Sequence, residues 1–74
     1  DIGRENLMMG LRLNEGVDLQ RLSLQTGASL DSFIDETALN ILIENDFLEI
    51  NASHLRATSE GRQRLNAVLS RLIT

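Results

Sequence analysis

A chain of 74 residues, 42% of them hydrophobic, with no cysteine and no lysine, has material for one small core and none for disulfides or thiolate metal ligands. Its formal charge is −4 and every base is an arginine, unevenly placed: residues 29–46 hold Asp31, Asp35, Glu36, Glu44 and Asp46 with no base, whereas residues 54–74 hold Arg56, Arg62, Arg64 and Arg71 against Glu60 alone. No apolar run approaches the roughly 18 residues of a membrane span and no basic stretch leads into an apolar one as in a secretory leader, so a chain that opens at Asp1 is expected to be a cytoplasmic piece of a larger protein.

A first helix is expected over residues 4–13, with Leu7, Met8 and Leu11 on its core face. Gly10 lies inside it. A helical glycine costs roughly 1 kcal/mol relative to alanine, which implies a neighbour packed closely against the helix. Asn14-Glu15-Gly16 breaks the pattern, Gly16 being free to take positive φ. Asp18 is a natural N-cap for a short second helix over residues 19–25, which turns Leu19 and Leu22 to the core and stops at Gly27. Ser29 or Ser32 caps a third helix, Ser32 having Asp35 three residues on as a capping pair. That helix offers Ile34, Ala38, Ile41 and Leu42 on one face, widened by Leu39 and Ile43, as suits a central helix packed on more than one side. Asn45-Asp46 ends it.

Residues 47–50 and 54–57 read as a hairpin closed by the three-residue loop Asn51-Ala52-Ser53. Thr58 or Ser59 then caps a last helix carrying Leu65, Val68, Leu69 and Leu72 at i, i+3, i+4, i+7. The fold class is mostly α with a small β-hairpin: three helices, a hairpin and a C-terminal helix, in winged-helix-like order over a single domain, residues 1–74.

Winged helices often bind DNA through the third helix, and a groove-entering helix needs positive side chains because phosphate contacts supply most of the non-specific affinity. Here that helix and its flanks are acidic, and the chain lacks Lys, Trp and Tyr for backbone contact or base stacking, so no nucleic-acid partner is expected. Catalysis is equally poorly served. Asp35 and Glu36 are adjacent and point about 100° apart on a helix, and no spacing motif joins a serine, an acid and the single histidine, His54. His54, Met8 and Met9 are residue types that ligate haem, but His54 sits at the hairpin loop and Met8 on the expected core face, where methionine is a common filler. No catalytic, cofactor-binding or metal-binding residue is assigned. If Leu7, Met8 and Leu11 face inward, Met9 and Arg12 share the other side, one turn after Glu5. An exposed methionine beside an arginine suits docking, and local pairing of Arg12 with Glu15 or Glu5 is the competing explanation. Met9, Arg12 and Leu13 are the candidate interdomain contact.

The run Met8-Met9-Gly10-Leu11-Arg12-Leu13-Asn14-Glu15-Gly16-Val17-Asp18-Leu19 resembles the opening of the C-terminal domain of the oxygen-independent coproporphyrinogen III oxidase-like family. Leu55-Arg56-Ala57-Thr58-Ser59-Glu60-Gly61-Arg62, followed by Leu65-Asn66-Ala67-Val68-Leu69, resembles that domain's ending. The resemblance covers nearly the whole chain and is closer to the haem-chaperone-like branch than to the oxidases. It implies a radical S-adenosylmethionine (SAM) parent protein in porphyrin or haem metabolism. That parent would hold a [4Fe–4S] cluster and S-adenosylmethionine in an upstream barrel, and in the chaperone branch haem. The barrel's Cys-x-x-x-Cys-x-x-Cys motif is absent from these residues, so the resemblance implies no cofactor here. The chain would be a non-catalytic domain contacting the upstream barrel of the same protein. The alternative is a stand-alone winged-helix interaction or regulatory module, for which a basic third helix would speak.

Overall fold

The computed structural model describes residues 2–73. The elements run α1 (Ile2–Gly10), β1 (Val17–Asp18), α2 (Leu19–Thr26), a 3₁₀ turn (Leu30–Ser32), α3 (Glu36–Glu44), β2 (Leu48–Ile50), β3 (His54–Ala57), α4 (Ser59–Gln63) and α5 (Leu65–Leu72). This is the mostly helical chain with a hairpin expected from the sequence, in winged-helix-like order. It also has a third strand: β3 is central in an antiparallel sheet of order β1-β3-β2, with Val17 opposite Leu55 on one side and Ile50 opposite Leu55 on the other.

The core follows from the apolar spacing. Leu7 of α1, Leu11 just after it, Leu48 and Leu55 of the sheet and Leu72 of α5 are fully buried. Val17, Leu22, Phe33, Ile34, Leu39, Leu42, Ala57, Leu65, Val68 and Leu69 complete it. No polar or charged side chain is buried among the described residues, so the core is not divided by a polar network.

The caps are partly the expected ones. Asp18 accepts the Arg21 N–H at 3.1 Å, and Gly27 closes α2 at φ 71°. The cap of α3 is Asp35, whose Oδ1 accepts the Thr37 and Ala38 amides at 2.9 and 3.2 Å. Neither expected serine serves there: Ser29 precedes the 3₁₀ turn and Ser32 lies in it. Ile34 is consequently outside α3 and is buried through a bridge to Ile73, next to the Asp35 N–H bond to the Leu72 carbonyl at 2.8 Å. Within α3 the inward arc is Ala38, Leu39, Leu42 and Ile43. Ile41 lies about 100° beyond Leu42 on the helical wheel and is exposed, which corrects the broad face expected for it.

The hairpin loop is as expected. Asn51 Oδ1 accepts the Ser53 and His54 amides at 2.8 and 2.9 Å, so the loop satisfies its own backbone. Thr58 caps α4, accepting the Gly61 N–H at 3.1 Å. The last helix is interrupted where continuity was expected: Arg64, at φ −121° and ψ 32°, separates α4 from α5.

Candidate functional site

The geometry of residues 7–19 separates side chains the chain uses internally from those it does not. Leu7 and Leu11 are core. Gly10 meets β1: a Cβ placed there would lie 2.6 Å from Val17 Cγ2. The close neighbour implied by that glycine is therefore inside the chain. Gly16, at φ 79°, turns the chain back onto the central strand, and a Cβ there would lie 2.3 Å from the Leu55 carbonyl oxygen. Val17 is buried in β1, and Asp18 caps α2. Each of these residues has a packing or backbone reason to be what it is.

Met8, Met9, Arg12 and Leu13 have none. Met9 is 68% exposed, Leu13 55% and Met8 38%, and Arg12 is also exposed. The placement of Met8 corrects the core face expected of α1. Its inward row is Gly3, Leu7 and Leu11 at i, i+4, i+8, and Met8 is about 100° from Leu7 on the outer side. The outer row gains a residue the sequence reading missed. Ile2 is 64% exposed and stands seven residues before Met9 and eleven before Leu13, a helical repeat. The i, i+7, i+11 spacing carried that signal. After Gly10 the turn tightens, with Arg12 N–H donating to Met9 O at 3.2 Å and Leu13 N–H to Gly10 O at 3.1 Å, so Arg12 and Leu13 stay in register with the helix end. Local pairing does not account for Arg12: among the described residues its side chain forms no ion pair with Glu15, Glu5 or any other acid.

Two further polar surfaces are formed. Arg12 lines an open cleft of about 290 Å³ with Arg62, Gln63, Arg64, Leu65, Asn66 and Ala67. On the sheet, Glu15, Glu49, Asn51, His54 and Arg56 line a second one, where Arg56 is paired with Glu49. His54 is half-buried with its Nδ1 2.9 Å from Ser53 Oγ, and it lies on β3 rather than beside the methionines of α1. Among the described residues no group of three His, Cys, Asp or Glu is arranged for a metal ion.

A [4Fe–4S] cluster does not fit these residues. Its irons are held by thiolates, and the chain has no cysteine. Helix α3 carries Glu36 and Glu44 and no base. No helix among the described residues is long and apolar enough to cross a membrane.

A small winged-helix-like module with an outward apolar helix row is the class of protein these features define. Residues 1–64 match the HemN C-terminal domain family, and the chain belongs to that family. It is also similar to the radical S-adenosyl methionine domain-containing protein 1, mitochondrial, of Dictyostelium discoideum. The two are 32% identical over 74 residues, which cover 99% of this chain and 17% of that protein. The chain thus spans about one sixth of the length of the relative it matches. No solved structure matches it.

Proposed function

We propose that this chain is the non-catalytic C-terminal accessory domain of a radical SAM protein of the oxygen-independent coproporphyrinogen III oxidase-like kind. In this reading residues 1–74 form one domain that docks on the upstream catalytic barrel of the same protein, and the parent works in porphyrin or haem metabolism. The parent's [4Fe–4S] cluster, S-adenosylmethionine and any haem are held outside these residues. One observation carries the docking: once the internally explained residues of the family's opening motif are set aside, Met8, Met9, Arg12 and Leu13 remain exposed along α1 and the turn that follows it, joined by Ile2. Exposed methionine and arginine are enriched where protein surfaces meet. The family match and the relative's length support a parent much longer than this chain.

Nucleic-acid binding is not part of the proposal, because the acids of α3 and its flanks oppose a phosphate backbone. The sequence reading favours the cytoplasm, whereas the relative carries the word mitochondrial in its name; cell fractionation of the parent decides between them.

The docking is tested by Met9→Ala with Leu13→Ala. In the 74-residue chain each change is expected to alter stability by no more than about 0.5 kcal/mol, as exposed substitutions do. In the full-length protein the same pair is expected to speed proteolysis and hydrogen exchange at the junction with the barrel. Melting of the isolated chain would place these side chains in its own core and end the docking reading. An undisturbed full-length protein would reduce the row to ordinary surface.

A further inference from the structure

Arginines are brought together at one end of the molecule by elements far apart in sequence. Arg12 follows α1, Arg62 is in the last turn of α4, and Arg64 is the residue between α4 and α5, yet all three line the same cleft of about 290 Å³. No acid lines it; Gln63 and Asn66 are its other polar side chains. Among the described residues none of the three guanidinium groups is in an ion pair, whereas Arg56 on the sheet is neutralised by Glu49. Arg62 is held in place from behind, its Nη1 donating to the Ala57 carbonyl at 2.9 Å. Three like charges in one cleft repel one another, and nothing in the chain's own packing demands Arg12 or Arg64 there. In a chain of net charge −4, this cleft is a local reversal of sign.

The cleft opens at the edge of the outer row of α1, since Arg12 belongs to both. From this we infer that the docking face has an electrostatic half: Arg12, Arg62 and Arg64 receive carboxylate side chains from the surface of the neighbouring domain of the same protein. The occupant is drawn from the chain outside these residues, about five sixths of a protein of the relative's length. Its chemistry is set by what it must meet, an apolar strip for Ile2, Met9 and Leu13 bordered by Asp or Glu. Arginine suits the task because its planar fork binds a carboxylate through two parallel hydrogen bonds. Arg62 is preorganised for this by its bond to Ala57, which leaves less side-chain freedom to lose on docking.

This inference rests on the docking reading, and its test separates the two. Three variants of the full-length protein are compared by hydrogen exchange across α1 and the α4–α5 junction, at about 50 mM and about 500 mM salt. They are Arg12→Glu with Arg64→Glu, Arg12→Lys with Arg64→Lys, and Met9→Ala with Leu13→Ala. Arg62 is left intact because of its bond to Ala57. Charge reversal is expected to speed exchange roughly five- to tenfold at low salt, with the difference from the wild type shrinking at high salt. The lysine pair is expected to stay within about twofold of wild type at low salt, keeping the charge. The apolar pair is expected to speed exchange at both salts.

If the apolar pair loosens the domain and the charge reversal does not, docking stands and the arginine cleft has no part in it. If neither does, the docking reading fails as well. A lower thermal midpoint of the 74-residue chain on charge reversal would mean the arginines serve the chain's own fold, which also overturns the inference. Self-association of the 74-residue chain at low salt, abolished by the same reversal, would assign the cleft to the acids of another copy and overturn the assignment to a neighbouring domain.

Discussion

The contact between Gly10 and Val17 gives an unusually clear sign test. Gly10→Ala has two opposing effects. At the last residue of α1 alanine is favoured over glycine by up to about 1 kcal/mol, and Gly10 has no positive φ to forbid it. Against this, the new Cβ would lie 2.6 Å from Val17 Cγ2 and 3.4 Å from Val17 Cα. Valine is stiff at χ1 and Val17 is paired to Leu55 through the backbone, so it has little room to yield. Overpacking of this kind costs about 1–3 kcal/mol, and the net expectation is a loss of about 0–3 kcal/mol. Val17→Ala alone removes buried methyl groups and costs about 1.5–2.5 kcal/mol. In that background the obstructing Cγ2 is gone, and Gly10→Ala is expected to stabilise by up to about 1 kcal/mol. The coupling between the two sites is then about 1–3 kcal/mol. For a domain of this size each kcal/mol moves the thermal midpoint by about 4–8 °C, well within reach of circular-dichroism melts on the four proteins of the cycle. Equal effects of Gly10→Ala in both backgrounds would refute the packing explanation for this glycine.

Other expectations are simpler. Leu42→Ala, in a buried position of α3, should cost about 2–5 kcal/mol in urea denaturation; a cost below about 1 kcal/mol would mean that α3 does not anchor the core as described. Asp35→Ala removes a cap that serves two amides and should cost about 1 kcal/mol, with Asp35→Asn recovering most of it. An equal loss in the asparagine variant would show that charge, rather than the hydrogen bonds, is what matters at this cap.

The helices were legible because most of their inward residues repeat at helical spacing. The errors have identifiable physical sources. Strand β1 is two residues long, too short for alternation to register, and only its pairing with Leu55 and His54 makes it a strand. Met8 was misplaced because the inward row of α1 begins at Gly3, which carries no hydrophobic signal: it is small because Phe33 lies against it, a Cβ there meeting the ring at 2.4 Å. Asp35 displaced Ser32 as a cap because Ser32 is taken up in the 3₁₀ turn Leu30–Ser32, which delays α3. The break at Arg64 has no proline or glycine to announce it. The same break places Arg64 in the cleft with Arg62 and Arg12, so the arginine cluster could not be read from linear spacing.

A family fingerprint is commonly searched for chemistry, and in this domain most of it is geometry. Gly10, Gly16, Val17 and Asp18 together make one device: α1 ends, the chain turns at positive φ, two residues pair with the central strand, and an aspartate starts α2. Each step limits the residue that can occupy it, through close approach, left-handed backbone or amide capping. A sequence constrained in this way stays recognisable whatever the domain does, so the motif by itself supports the fold and says little about the reaction of the parent protein. Functional information lies in what the device leaves over. Met9 and Leu13 are large, apolar and exposed, and Arg12 is a cation without a counter-charge among the described residues. The chain's own packing gives none of them a partner, which is why the proposed contact is assigned to these side chains and not to the glycines that first draw the eye.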